Sequence, residues 1–172
     1  MKIVLDANIF VSSFFWGGNP RSVLERVIAG TDELFITKEI LDEIEIVMGR
    51  PKFHADKEKI AYFINSIEEI GNKIIPKRHI KNGSRDKADN KYLECGITAY
   101  VDYIISGDIH LLELKEYNKI KILSAKDYLD IFFRENGDRR QARPLICCYR
   151  HYTNPEPRPK SGSPLAKHFL II

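Results

Sequence analysis

At 172 residues, 44% hydrophobic and 30% charged, the chain has room for one ordinary soluble domain with a substantial core, or one domain and a tail. Its net charge of +3 is unevenly spread: residues 134–172 hold eight of the 27 Lys/Arg and three of the 24 Asp/Glu, which leaves residues 1–133 with 19 against 21. A slightly acidic body does not bind nucleic acid by bulk charge, so any dealing with phosphates must go through a local basic rim or through metal ions.

Ile3, Val4 and Leu5 form an unbroken apolar run, which predicts a strand buried on both faces of a parallel sheet. The run ends after three residues, too soon for a signal peptide. It ends at Asp6, placing a carboxylate at the carboxyl end of a buried strand, where open α/β sheets bind their ligands. Taken alone, Asp6 is more simply a cap for the next turn, and later acids at equivalent places change that balance. Residues 11–18, with the only Trp, read as a loop. Asn19 and Pro20 read as an N-cap and first helical residue, opening a helix that runs to about Ile28 and stops at Gly30. Residues 33–36 are a short second strand. Thr37 caps a helix with the apolar stripe Ile40, Leu41, Ile44, Val47 and Met48, and Arg50-Pro51 ends it.

A third helix over residues 56–70 turns Ile60, Phe63, Ile64 and Ile67 inward and stops at Gly71. Residues 73–75 are a third strand, halted by Pro76. Residues 77–85 form a polar, basic loop with Asn82-Gly83-Ser84 at its tip. A helix over 87–100 follows, then a fourth strand over 102–106. Gly107-Asp108 leads into a short helix through Leu111, Leu112 and Leu114. Residues 119–123 are a fifth strand, and Ser124 with Asp127 opens a last helix ending near residue 133. Strands alternating with helices across short loops predict an α/β fold, a parallel sheet with helices on both faces.

From Arg134 the composition changes. Five of the eight prolines and two of the three cysteines lie in this stretch, which predicts a poorly ordered, basic, Pro-rich tail on a domain of residues 1–133. Cys95, Cys147 and Cys148 have neither the number nor the spacing of a zinc site or a disulfide framework. No stretch approaches the length of a membrane span, and a reducing cytoplasm is the expected compartment.

Four acids stand out: Asp6, Glu43, Asp89 and Asp108. Asp108 ends the fourth strand as Asp6 ends the first, so the two are close if those strands are neighbours. On the 87–100 helix the inward line is Leu93, Gly96 and Tyr100, and the same line extended backwards reaches Asp89. Asp86, one turn earlier, is the better candidate for capping that helix. Glu43 and Glu45 flank opposite edges of their helix's apolar arc, and periodicity does not choose between them. Clustered carboxylates repel unless a cation sits among them, and hard ions such as Mg²⁺ or Mn²⁺ take oxygen ligands. Such an ion can activate water and stabilise a phosphodiester under attack. None of the five histidines lies beside these acids. Arg21, Arg50, Lys52, Arg85 and Lys87 lie in or beside loops near the expected acidic face and could form a basic rim for RNA. For each one alone, a solvated surface role is the simpler reading.

The stretches that carry these acids are Val4-Leu-Asp6-Ala-Asn8, Ile40-Leu-Asp-Glu43-Ile, Arg85-Asp-Lys-Ala-Asp89-Asn-Lys-Tyr-Leu93 and Ile104-Ile-Ser-Gly-Asp108. In order, spacing and context, over residues 1 to about 133, they resemble the PIN-domain nucleases, especially the toxin-like branch close to VapC. The resemblance implies a three-layer α/β fold with a five-stranded parallel sheet ordered 3-2-1-4-5, so that strands 1 and 4 are adjacent. It also implies Mg²⁺- or Mn²⁺-dependent cleavage of RNA, an antitoxin protein as partner and, more loosely, a homodimer. Asp6, Glu43, Asp89 and Asp108 match the family's metal-holding catalytic acids. Asn8 and Ser106 match its supporting polar positions, and the match favours Glu43 over Glu45. There is one departure. Relatives often read Asp-Pro-Asp-Asp where this chain has Asp86-Lys-Ala-Asp89, so Ala88 replaces an acid and a second metal site is weakened.

Two other readings compete. A haloacid-dehalogenase-like phosphatase would use Asp6 and Gly107-Asp108, but it needs an Asp two residues after the nucleophile, where this chain has Asn8. A PIN-fold module that holds RNA or protein without cutting would be favoured by loss of one of the four acids, and all four are present.

Overall fold

The run Ile3-Val4-Leu5 lies in the middle of the sheet, as strand β1 (Lys2–Leu5), with these three side chains almost wholly buried. The structure is a computed structural model that describes residues 1–77, 80 and 87–136, the side chains of residues 133–136 excepted. Arg85, Asp86 and nearly all of the proposed tail therefore lie outside the described residues. On one side β1 pairs in parallel with β2 (Glu33–Ile36), which pairs with β3 (Asn72–Lys73). On the other side it pairs with β4 (Tyr103–Ile105), in the register Val4 to Ile104 and Leu5 to Ile105. Beyond β4 lie β5 (Glu116–Tyr117) and β6 (Ile120–Leu123), giving the order β3-β2-β1-β4-β6-β5.

Five strands are parallel and follow the expected order 3-2-1-4-5, with β6 as the fifth. The sixth, β5, was not foreseen. It runs antiparallel to β6 through a tight turn in which Asn118 and Lys119 both have positive φ, at 49° and 68°. Such turns usually announce themselves with glycine, and this one contains none.

Helices α1 (Ala7–Phe15) and α2 (Gly18–Ile28) connect β1 to β2. The loop expected over residues 11–18 is therefore mostly helix. Ala7, Ile9, Phe10, Val11 and Ser13 are all buried, so α1 is enclosed on several sides and its polar face is reduced to Asn8 and Ser12, too narrow for periodicity to detect. Gly17 and Gly18, with φ of 76° and 66°, make the sharp break between the two helices. Gly17 is the N-cap of α2, and Asn19 lies inside the helix instead of capping it. Pro20 falls in the first turn, where its missing N–H has no intrahelical partner to lose.

Helix α3 (Lys38–Met48) is capped by Thr37, whose hydroxyl accepts the Ile40 N–H. A short 3₁₀ turn at Pro51–Phe53 and helix α4 (Lys57–Ile70) lead to β3. Helix α5 (Asn90–Ala99) precedes β4, α6 (Ile109–Leu114) follows it, and α7 (Ala125–Asn136) closes the described chain. The Ser124 hydroxyl caps α7 as expected, accepting the Asp127 N–H at 3.1 Å and donating its own proton to the Asp127 carboxylate. That helix continues three residues past the expected boundary at 133.

Tyr100 departs from expectation. Helix α5 ends at Ala99, and Tyr100 caps it in the left-handed conformation at 85% exposure, so the inward line stops at Gly96. Gly96 lets α5 settle onto the sheet. A Cβ there would stand 3.2 Å from side-chain atoms of Ile104, Ile120 and Val101. Beside it, Cys95 is fully buried, and burial, with a smaller effect from Glu39, pushes its thiol up to about 12. A thiol reagent at pH 8 should spare the Cys95 peptide in the native protein and modify it in urea. Native labelling at Cys95, read by mass spectrometry, would place that residue outside the core.

At the amino-terminal end of the parallel strands, Asp32 is fully buried and accepts both Arg26 Nε at 2.7 Å and Nη2 at 3.2 Å. The Arg26 guanidinium lies 3.7 Å from the centre of the Phe132 ring, and the buried Tyr128 packs edge-on against Phe132 and Tyr103. This cluster fastens α7 to α2 and the turn before β2. Among the described residues, no helix is long and apolar enough to cross a membrane.

Candidate functional site

Because β1 and β4 are adjacent, their carboxyl ends bring Asp6 and the Ser106-Gly107-Asp108 turn together. Asp6 is 1% exposed. Its Oδ1 accepts the Asn8 N–H and so caps α1, while Oδ2 accepts the Ser106 hydroxyl and, at 3.1 Å, the Gly107 N–H. Capping and a place at the strand end are thus two uses of one side chain. Burial raises its pKa above the ordinary 3.8, and the bonds from Ser106, Asn8, Gly107 and Ile9 oppose that rise.

Ser106 is buried and looks both ways. Its oxygen accepts the Asp108 N–H at 2.9 Å while its proton goes to Asp6. Asp108, half-buried, caps α6 through Oδ1, which accepts the His110 N–H at 2.7 Å. Asn8 is exposed on the first turn of α1, and a Cβ at Gly107 would sit 3.8 Å from its own Cβ.

Glu43 lies half-buried on α3, whereas Glu45 is exposed. Two donors from α5 converge on Glu43 Oε2: the Tyr92 hydroxyl and, at 2.9 Å, the Lys91 ammonium. The Tyr92 oxygen in turn accepts the Ala7 N–H at 3.1 Å. Tyr92 is 3% exposed, and its hydroxyl is driven far above its ordinary range by burial, then by the Asp6 charge and the Glu43 bond. It therefore stays protonated, and its single proton points at Glu43. Asp89 closes a 3₁₀ turn (Lys87–Asp89) at the head of α5, half-buried and without a capping bond from its side chain.

The structure thus joins Asp6, Ser106 and Asp108 directly, and reaches Glu43 from the start of α1 through Tyr92. Among the described residues, no three His, Cys, Asp or Glu side chains form a group that could hold a metal ion. The ammonium and hydroxyl on Glu43 are the physical reason that acid is drawn to α5.

Of the expected basic rim, Arg85 lies outside the described residues. Arg21 donates to the carbonyls of Ser13 at 3.0 Å and Phe14 at 3.5 Å, closing the end of α1. Arg50, Lys52 and Lys87 are exposed, with the Lys52 ammonium 4.7 Å from the Phe53 ring centre. Sequence reasoning missed Lys91 and Tyr92. Tyr92 reads as one more core aromatic, and only the packing of α5 on α3 shows where its hydroxyl goes.

A family model described as PIN domain matches residues 2–110. No curated protein sequence matches the chain. Among solved structures, the fold is similar to a chain in the crystal structure of VapBC2 from Rickettsia felis bound to a DNA fragment from their promoter. The TM-score is 0.51 at 13% identity, over 71% of this chain and 97% of that one. At that identity the likeness is one of fold.

Proposed function

The chain belongs to the PIN-domain family, and from that premise we propose that it is a divalent-metal-dependent endoribonuclease, the toxin member of a toxin–antitoxin pair. The observation that carries this reading is the buried Asp6 carboxylate at the carboxyl edge of the sheet, oriented by Ser106 and two amides and tied through Ser106 to Asp108.

The donor set suits a hard cation, since every candidate ligand is a carboxylate oxygen. Asp6, Asp89 and Asp108, with Glu43, would hold Mg²⁺ or Mn²⁺, after side chains that do not form a ligand group on their own turn toward the ion. Bound there, the ion would offset carboxylate repulsion, activate water and stabilise the charge of the phosphodiester under attack. Ser106 orients Asp6 by its hydroxyl, and Asn8 stands beside the same turn. Of the candidate rim, Arg50, Lys52 and Lys87 are exposed and would meet RNA phosphates, with Arg85 added from the sequence. Asp86 is likewise a supporting residue on sequence grounds alone. The antitoxin partner rests on likeness to a chain whose structure is described as VapBC2 on promoter DNA. A cytoplasmic setting and a homodimer belong to the same reading.

The test is incubation of purified protein with a mixed RNA pool, with Mn²⁺ and with chelator, followed by mapping of cut ends. Mn²⁺-dependent internal cuts are expected. RNA bound but uncut in Mn²⁺ would favour the non-catalytic module. The phosphatase reading loses its footing with membership of the PIN family. For the basic rim, Lys52→Ala with Lys87→Ala should weaken RNA binding in chelator and flatten its log–log salt slope by about two. An unchanged slope would remove those two lysines from the RNA surface.

A further inference from the structure

We propose that Lys91 and Tyr92, successive residues of α5, set how tightly the acidic site takes a divalent ion, and that they act in opposite directions. Both act through Glu43, as positioning residues.

Tyr92 fixes Glu43 in place. Its oxygen accepts the Ala7 N–H, so its one proton is left for Glu43 Oε2. Ala7 follows Asp6 directly, so this hydroxyl couples the position of Glu43 on α3 to the end of β1. A carboxylate held in one orientation loses less freedom when an ion binds than one that must be ordered first. Removing the hydroxyl should therefore weaken ion binding.

Lys91 competes with the ion. Its ammonium lies 2.9 Å from the same oxygen, with side-chain exposures of 20% for Lys91 and 30% for Glu43, so the pair is only partly screened by solvent. The ammonium also stands 5.2 Å from the centre of the Tyr92 ring. This positive charge balances Glu43, which Tyr92 links to Ala7, the residue after the buried Asp6. An incoming cation must share Glu43 with it and bear its repulsion. Removing the ammonium should strengthen ion binding.

This inference rests on the metal site of the proposed nuclease, and its test needs no RNA. Mn²⁺ binding to the metal-stripped full chain is measured by calorimetry and by loss of the free-Mn²⁺ electron paramagnetic resonance signal. Tyr92→Phe keeps the ring, and its dissociation constant should rise about tenfold. Lys91→Met keeps the apolar stem, and its dissociation constant should fall about fivefold. Lys91→Arg, which restores the charge, should behave as the parent. In a Glu43→Gln background the Lys91→Met effect should vanish, since both residues act on one oxygen. Melting in chelator identifies any variant that fails to fold, and the Lys91 and Glu43 comparison stands without Tyr92→Phe. An ordinary helix-to-helix ion pair predicts no change in Mn²⁺ affinity for Lys91→Met. That result, or shifts of the same sign in both variants, overturns the proposal alone. A parent that takes up no Mn²⁺ overturns the metal reading, and this proposal with it.

Discussion

Asp6→Asn is expected to cut the proposed metal-dependent RNA cleavage by about a hundredfold or more, with the folded state changed by no more than about 1–2 kcal/mol. Residues that merely orient metal ligands typically cost 10–100-fold, so a carboxylate at the centre of the site should cost at least that. The modest stability change reflects two opposing effects. Asparagine caps helices as well as aspartate, so the Asn8 bond survives, and a buried charge is removed. Against this, the new amide presents N–H groups to Ser106 and Gly107 where Oδ2 accepted from both, and a lost buried bond costs about 1–3 kcal/mol. Burial raises the Asp6 pKa above 3.8, so the folded parent binds a proton more readily than the unfolded chain does. In chelator, the parent's stability relative to the variant is therefore greatest below the unfolded pKa. It falls as pH rises from there through the raised folded value, and it is level above that. Unfolding curves for both proteins across acid pH check the sign. A variant that cleaves at the parent's rate would remove Asp6 from the chemistry.

The second large effect is one of stability. Asp32→Ala should destabilise the protein by about 3–5 kcal/mol, because it leaves the partly buried Arg26 guanidinium without its bidentate partner against the Phe132 ring. For a chain of this size that is a fall of roughly 6–20 °C in melting temperature. Cleavage per folded molecule, measured well below the transition, should match the parent, since Asp32 precedes β2 at the opposite end of the parallel strands from Asp6. Replacing both partners, as Arg26→Met with Asp32→Ala, should recover part of the loss, because the stranded charge is then gone. A single variant that melts with the parent would show the pair to be solvated and weak. A variant that stays folded but inactive would tie the two ends of the sheet together.

What was legible in the sequence depended on whether the signal was local. The run ending at Asp6 and the turn ending at Asp108 could be read because a strand buried on both faces leaves an uninterrupted apolar stretch, and its interruption marks the strand end. The Thr37 and Ser124 caps could be read for the same reason, each being decided within four residues. Helix α1 could not. Enclosure of Ile9, Phe10 and Val11 together erases the alternation that betrays a surface helix, and the neighbouring glycines suggested a loop. The edge strand β5 depends on Asn118 and Lys119 in a left-handed turn, with no glycine to signal it. Tyr100 was placed inward by extending a helical line one residue past the helix's true end. In the site, the acids were visible as residues at strand and helix ends. The convergence of Lys91 and Tyr92 on Glu43 was not, because it arises from contact between helices almost fifty residues apart in the chain.

Among the described residues, the two outermost strands, β3 and β5, are each only two residues long. A sheet grows by offering its outer ladder to another chain, and a partner gains one pair of main-chain bonds for every residue or two it can lay alongside. Here the rails are too short to recruit a foreign strand, and on one side the last rail runs backwards. A protein partner of the described domain would then take hold of its helices by side-chain shape and charge. Recognition by side chains is specific to a partner, while recognition by backbone is open to any extended peptide.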